Sequence, residues 1–358
     1  MENKQTLQAL PIQPSKVPIL SLSKDELTHW LTQCQQPAHR FGQIYQWIFD
    51  KRATDFSMMS DLPLFLREEL AKKFKIFSIE EAVQKIAQDD TRKLLLRLVD
   101  GQNIECVLMK EDARRTVCIS TQVGCAMGCV FCASGIDGVI RNLEAHEIME
   151  QMILTRNLLP LGDRLTHIVV MGMGEPMTNL ENLLAALEVA CSPKGLGLSA
   201  RHITISTVGI PQKIRKLAEC KKQYHLAVSL HAPNDELRTQ IIPTNKKIGI
   251  QEILSASDDF FEMTGRQVTF EYILLGGVND LPAHAKELSA LLANRKAHVN
   301  LIPFNTVTDL PFKRPQQASV EEFARILKKG GQSATIRKRK GADIDAACGQ
   351  LRRTVLAS

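Results

Sequence analysis

Apolar residues first recur with helical spacing at Leu27, Trp30 and Leu31 and again at Ile44, Trp47 and Ile48, the pattern of helices that bury one face. Ser23 followed by Glu26 is a capping-box pattern ahead of the first run, and a further helix is expected over about 62–75. From Arg92 the pattern changes to β-type runs: KLLLRLVD, a turn at Gly101, NIECVLMK and RTVCISTQ, which predict a hairpin-like segment. Six more apolar runs, THIVVMG, RHITISTVG, HLAVSLH, VTFEYILL, AHVNLIPF and SATIRK, alternate with helical stretches near 143–158, 180–191, 210–219, 250–263, 282–293 and 319–329. Strand then helix, repeated six times, predicts an α/β fold with a parallel sheet or barrel, because parallel strands need crossover connections. Ser319 with Glu322, and Asp280 ahead of Pro282, are expected to cap the helices that follow them. The expected division is an arm at 1–22, a small helical accessory module at 23–90, an α/β core with an N-terminal β extension at 91–345, and a tail at 346–358.

The 358 residues suffice for two units or one large barrel. Hydrophobic residues at 44% and charged residues at 23% exclude a disordered or collagen-like chain. No apolar run is long enough for a membrane helix and the N-terminus lacks a hydrophobic signal core, so a cytoplasmic protein is expected. The net charge of +6 permits a polyanionic partner without demanding one. Nine cysteines without an export signal suggest reduced thiols, metal ligands or catalytic groups rather than a disulfide framework.

Three of them, Cys125, Cys129 and Cys132, stand as C-x3-C-x2-C in GCAMGCVFCASG, just after a strand. Thiolates are soft ligands that suit iron–sulfur clusters or zinc. A closed structural zinc site takes four ligands, usually as two C-x2-C pairs, and no second pair follows. A cubane held by three cysteines leaves one iron open to a chelating molecule such as S-adenosylmethionine. The zinc alternative is a noncatalytic, metal-stabilised RNA-binding protein.

The cysteine motif and the following six strand–helix units resemble the radical S-adenosylmethionine superfamily, whose motif lies at the first strand of a partial (βα)6 barrel. That resemblance implies a [4Fe-4S] cluster, and S-adenosylmethionine cleaved by one electron to a 5'-deoxyadenosyl radical. Met171-Gly172-Met173-Gly174-Glu175-Pro176 looks like the superfamily's GGE element. There glycine admits close backbone approach, and Gly174 and Glu175 are the implied contacts to the methionine amino group. The segment GADIDAACGQL at 341–351 resembles the tail of the RlmN/Cfr family of RNA adenosine methyltransferases. GEPMTN, LIPFN and RKRKGADIDAACGQL place the chain nearer the RlmN branch, which methylates adenine carbon 2 in 23S rRNA and tRNA, than the carbon-8 methylating Cfr branch.

The family resemblance implies two S-adenosylmethionine molecules per turnover. One methylates Cys348, and the other generates the radical that removes hydrogen from that S-methyl group, so that a methylene radical adds to carbon 2. Glu105 matches the base for the ring proton. Cys118 matches the thiol that releases product by forming a transient disulfide with Cys348. Ser206, Ser229, Leu230, His231 and Asn305, at strand C-terminal ends, match S-adenosylmethionine contacts. The implied partners are 23S rRNA and tRNA, a flavodoxin-type electron donor and a thiol reductant, with the chain a monomer and no membrane involved.

Basic clusters at Lys72–Lys75, Arg114 with Arg115, Lys246 with Lys247, Arg337–Lys340, and Arg352 with Arg353 could track phosphates. Aromatic residues are only 5%, so the target base is expected to be extruded into the site rather than read by stacking. Four positions depart from the family pattern: Thr121 replaces a glutamine, Gln122 an arginine, Ser134 a threonine, and Thr306 a proline. Loss of the arginine at 122 is expected to weaken an RNA or supporting contact.

Overall fold

The computed structural model describes residues 16–307 and 310–351. Most of the expected arm, and Arg352 and Arg353, lie outside the described residues. The chain divides into two units, residues 1–78 and 79–358.

In the first unit a short parallel pair, β1 (Val17–Pro18) and β2 (Phe74–Lys75), brackets three helices, α1 (Lys24–Gln33), α2 (Arg40–Phe49) and α3 (Leu64–Lys73). The capping box at Ser23 and Glu26 forms as expected. Leu27 and Leu31 of α1, Ile44 and Ile48 of α2, and Leu66 and Leu70 of α3 are all buried. Trp30 meets Phe74 edge to face at 4.9 Å.

The second unit is built on a ten-stranded sheet. Its strands are β3 (Glu80–Ile86), β4 (Arg92–Arg97), β5 (Asn103–Glu111) and β6 (Arg114–Cys118), followed, after a small pair β7 (Gln122–Gly124) and β8 (Val139–Asn142), by β9 (His167–Val170), β10 (Ile203–Thr207), β11 (His225–Ser229), β12 (Val268–Leu274), β13 (Ala297–Pro303) and β14 (Ser333–Ile336). The order is β14-β13-β12-β11-β10-β9-β6-β5-β4-β3. From β6 to β14 all neighbours are parallel, and from β6 out to β3 all are antiparallel. The six expected strands are present, and the RTVC strand joins them as the first of the parallel series.

Helices α4 (Ala145–Asn157), α5 (Leu180–Cys191), α6 (Pro211–Glu219), α7 (Asp235–Ile241), α8 (Ile250–Thr264), α9 (Pro282–Leu291) and α10 (Gln317–Lys329) connect the parallel strands. The apolar runs of β9 to β13 place Ile168, Ile205, Leu226, Phe270 and Val299 in the core.

Three local expectations are corrected. Residues 80–90, assigned to the helical module, form the edge strand β3 and its turn; the Glu80, Glu81 and Lys85 side chains suit a solvent-facing edge. Helix α10 begins two residues before Ser319 and is preceded by Gln316, which makes no side-chain cap. Asp280 accepts from the Gly277 N–H at 2.8 Å, closing the preceding turn, while Leu281 takes the position before Pro282. Among the described residues no helix is long and apolar enough to cross a membrane.

Candidate active site

The parallel strands end where the expected chemistry gathers. Cys125, Cys129 and Cys132 lie on the loop after β7, which sharp glycine turns hold. Gly124 has φ +80°, and a Cβ there would meet the Gly138 carbonyl oxygen at 2.0 Å. All three cysteines line a cavity of about 150 Å³ together with Gly172, Gly174, Glu175, Ser206, Ser229, His231, Glu271 and Cys348. Burial pushes all three thiols up, Cys125 to about 12.

The GMGEP turn lies against the segment after β6 through its backbone. A Cβ on Gly172 would meet Ile119 O at 2.6 Å, and one on Gly174 would meet Gln122 Cβ at the same distance. The Glu175 carboxylate accepts from Met177 N at 3.0 Å and Val208 N at 2.8 Å, tying the end of β9 to the end of β10. Burial raises this carboxyl against the pull of those bonds, and each oxygen retains capacity for another donor.

Gln122 is buried, and its amide is fully engaged. Its oxygen accepts from Glu175 N at 2.8 Å, and its nitrogen donates to Asn142 Oδ1 at 2.8 Å and Thr178 Oγ1 at 2.9 Å. The residue that departs from the family pattern thus supports Glu175, a role its sequence position did not reveal.

His231 is buried with φ +61°. Its Nδ1 accepts from Ile273 N at 3.0 Å, which assigns the proton to Nε2. Desolvation, with Arg238 nearby, lowers the imidazole to about 3, so it is neutral. Leu230 contributes through its backbone, its N–H donating to Glu271 O at 3.1 Å; its side chain is buried. Asn305 lines a second, smaller cavity of about 50 Å³.

That second cavity is also lined by Val107, Cys118, Met171, Arg337 and Cys348. Cys348 therefore stands where the two spaces meet, facing the three motif cysteines on one side and Cys118 on the other. The segment 341–351 is secured on several sides. Ala133 N donates to Gly349 O at 2.8 Å, Ser134 Oγ to Leu351 O at 2.8 Å, Asn305 Nδ2 to Cys348 O at 3.4 Å, and Gln350 Nε2 to Thr306 O at 2.8 Å. Two of the departures, Ser134 and Thr306, thus hold the tail, one by its hydroxyl and the other by its backbone.

Cys118 is paired across the sheet with Val107, and burial pushes its thiol up to about 12. Glu105 lies two residues before Val107 on the same face of β5. Its carboxylate pairs with Lys93 Nζ at 3.1 Å.

A family model described as the Radical SAM superfamily matches residues 119–288, and one described as the ribosomal RNA large subunit methyltransferase N-terminal domain matches residues 17–76. A Rhodopirellula baltica protein named "Probable dual-specificity RNA methyltransferase RlmN" is 52% identical over 95% of this chain and 92% of its own length. The chain belongs to the RlmN family. It is a radical S-adenosylmethionine RNA methyltransferase. A Synechocystis relative of the same description is 45% identical over 95% of both chains. A crystal structure of a radical SAM methyltransferase from Sphaerobacter thermophilus aligns with a TM-score of 0.91 at 42% identity, covering 94% of this chain and all of that one.

The RlmN-family donor set fits an iron–sulfur cluster. Three thiols spread around a cavity suit a cluster, in which each thiolate ligates its own iron. Gly174, Glu175, Ser206, Ser229 and His231 surround the same space, whereas Leu230 and Asn305 stand beside it.

Three further charged residues take places at the site that the sequence reading did not assign to them. Buried Arg238 donates to Leu230 O at 3.1 Å, Val208 O at 2.6 Å and Ser229 O at 3.1 Å, clamping the loops after β10 and β11. Arg337, in a basic cluster that could track phosphate, lines both cavities; its charged form is favoured by Cys348 first, then by Glu271 and Cys118. Glu271, buried in the middle of β12, accepts from Asn300 Nδ2 at 2.8 Å. Only the Glu in VTFEYILL, a charge in an otherwise apolar strand, was a readable signal. Among the other basic clusters, Lys72 pairs with Glu69 at 2.7 Å and Arg115 with Asp163 at 2.7 Å.

Proposed function

We propose that the chain methylates carbon 2 of a specific adenosine in 23S rRNA, and of the adenosine 3' of the anticodon in tRNA, through S-methylated Cys348. The observation that supports this reading most is the position of Cys348 between the triple-cysteine cavity and Cys118. Carbon 2 is an electron-poor ring carbon with no lone pair, so it cannot displace a methyl group from a sulfonium. When bound at the cysteine-held cluster, S-adenosylmethionine supplies a methyl group for Cys348 and, from a second molecule, the radical chemistry that activates that methyl group.

The chain's own residues do the rest. Cys125, Cys129 and Cys132 hold the cluster. Glu175, with its neighbours Gly174, Ser206, Ser229 and neutral His231, orients the bound sulfonium. Asn305, through the Cys348 carbonyl, helps hold the tail over the site. Once the Cys348 methylene is bonded to carbon 2, the ring proton must leave and the carbon–sulfur bond must break. Glu105 takes the ring proton, the adduct's unpaired electron leaves to the one-electron carrier, and Cys118 attacks the Cys348 sulfur. The carbon–sulfur electron pair stays on carbon, which takes up a proton to become the methyl group, leaving a disulfide that a cellular thiol system reduces. The two Cα atoms must then approach to within about 4.4–6.8 Å.

A flavodoxin-type protein fits as electron donor, and the need for a thiol reductant suits the cytoplasm. The helical unit contributes RNA contacts, a reading supported by its match to an rRNA methyltransferase N-terminal domain. The test is nucleoside mass analysis of a 23S rRNA fragment and of tRNA after reaction with the anaerobically reconstituted enzyme. Release of 2-methyladenosine is expected. Release of the 8-methyl isomer would move the chain to the Cfr type of chemistry.

A further inference from the structure

The antiparallel extension β3–β5 lies outside the parallel series that carries the cysteine motif, yet three of its groups hold the segment that bears Cys348. Gly341 N donates to Asp89 Oδ2 at 3.2 Å, and Gln88 N donates to Asp343 Oδ2 at 3.1 Å. The third contact is different in kind. Lys93 Nζ on β4 donates to the Asp345 carbonyl at 3.1 Å and pairs with Glu105 Oε1 at 3.1 Å. Lys93 and Glu105 are both buried, at 9% and 6% exposure, where a charge is costly unless matched. One ammonium thus links the backbone three residues before Cys348 to the side chain of Glu105.

We propose that Lys93 is a positioning residue that ties the Glu105 carboxylate to the docked Cys348 tail, so that the base is aligned when the tail is engaged. This rests on the reading above of Glu105 as the base. In the step concerned, the carbon 2–hydrogen bond breaks, its electron pair stays with the ring, and the proton passes to the carboxylate, which becomes a neutral acid. The Asp345 carbonyl continues to accept from Lys93 after Glu105 is neutralised. A long ammonium stem rooted in β4 fixes a carboxylate rooted in β5 because Leu95 and Glu105 face each other across the sheet and Lys93 lies two residues along. Asp89 and Asp343 secure the tail without touching Glu105 in any contact above. Their loss and that of Lys93 therefore have different consequences.

The test compares Lys93→Met, Lys93→Arg, Asp343→Ala and Glu105→Gln in the full-length reconstituted enzyme, with labelled RNA resolved on denaturing gels. A misaligned base leaves RNA bonded to Cys348. Lys93→Met is expected to raise the covalently RNA-bound fraction and slow product release by roughly 10- to 100-fold, the scale of a misplaced reacting group. Lys93→Arg restores most of the release, and Asp343→Ala shows no accumulation. Wild-type adduct levels in Lys93→Met, or equal accumulation in Asp343→Ala, would overturn the inference. A second measurement needs no cofactor: amide hydrogen exchange across 341–351 should quicken in Lys93→Met, and unchanged exchange would break the proposed tie. If Glu105→Gln releases product at the wild-type rate, the assignment of the base is what fails, and the exchange result then decides whether Lys93 still anchors the tail.

Discussion

Gly174 and His231 show how single residues set the geometry of the site. Gly174 has φ +104°, and an added Cβ would lie 2.6 Å from Gln122 Cβ. Gly174→Ala is therefore expected to cost about 1–3 kcal/mol in urea unfolding and to loosen Glu175. Gly101→Ala is the control: φ is +80° there but nothing lies within 4 Å, so it bears the backbone cost without the clash. His231 gives a pH signature. Its imidazole is lowered from 6.5 to about 3. The unfolded chain therefore gains a proton on this group as pH falls through 6.5, while the folded chain does not until about 3. Its contribution to stability is intact above that upper value and lost progressively below it, by up to about 1.4 kcal/mol per pH unit. His231→Asn, whose side chain tolerates a left-handed backbone, should flatten the fall in unfolding free energy between about pH 4 and 6. An unchanged slope would mean that His231 is not held neutral. Gln122 carries the residue-scale lesson about sequence. Its three bonds join residues 122, 142, 175 and 178, and no pattern in one sequence announces contacts of that range.

At the scale of elements, the tail carries Cys348, the proposed methyl acceptor. Gln350 is a hinge pin within it: its side chain donates to Thr306 O at 2.8 Å and accepts from Ala347 N at 3.1 Å. Each such bond is worth about 1 kcal/mol, so Gln350→Ala should raise the undocked population about fivefold or more. Amide hydrogen exchange across 341–351, followed by mass spectrometry, should quicken by the same factor. A wild-type rate would show that Gln350 does not hold the tail. The barrel helices and strands were readable because each repeats one apolar period over a full element, as in Leu226 to Val228 of β11. The strand β3 was not, because an edge strand facing solvent has no apolar period to display. The same limit hid Lys93, which reads as an ordinary polar residue of a β run until the tail folds back onto it.

At the scale of the whole molecule, the sequence carried the cysteine motif, the order of strands and helices, and the tail, and these sufficed for the family. It did not carry how Cys118, Arg337 and Cys348 come to line one cavity, or how Lys93 links Glu105 to the Asp345 carbonyl, since these residues belong to segments joined only by the sheet order and the returning tail. The central claim is that the methyl group passes through Cys348. Reaction with S-adenosylmethionine carrying a fully deuterated methyl group tests it most directly, with the product nucleoside weighed by mass spectrometry. A relay through a Cys348 methylene gives 2-methyladenosine whose methyl group has lost one deuterium and gained one hydrogen, and Cys348→Ala gives no methylated base. Product retaining all the deuterium, or methylation by Cys348→Ala, would contradict the account.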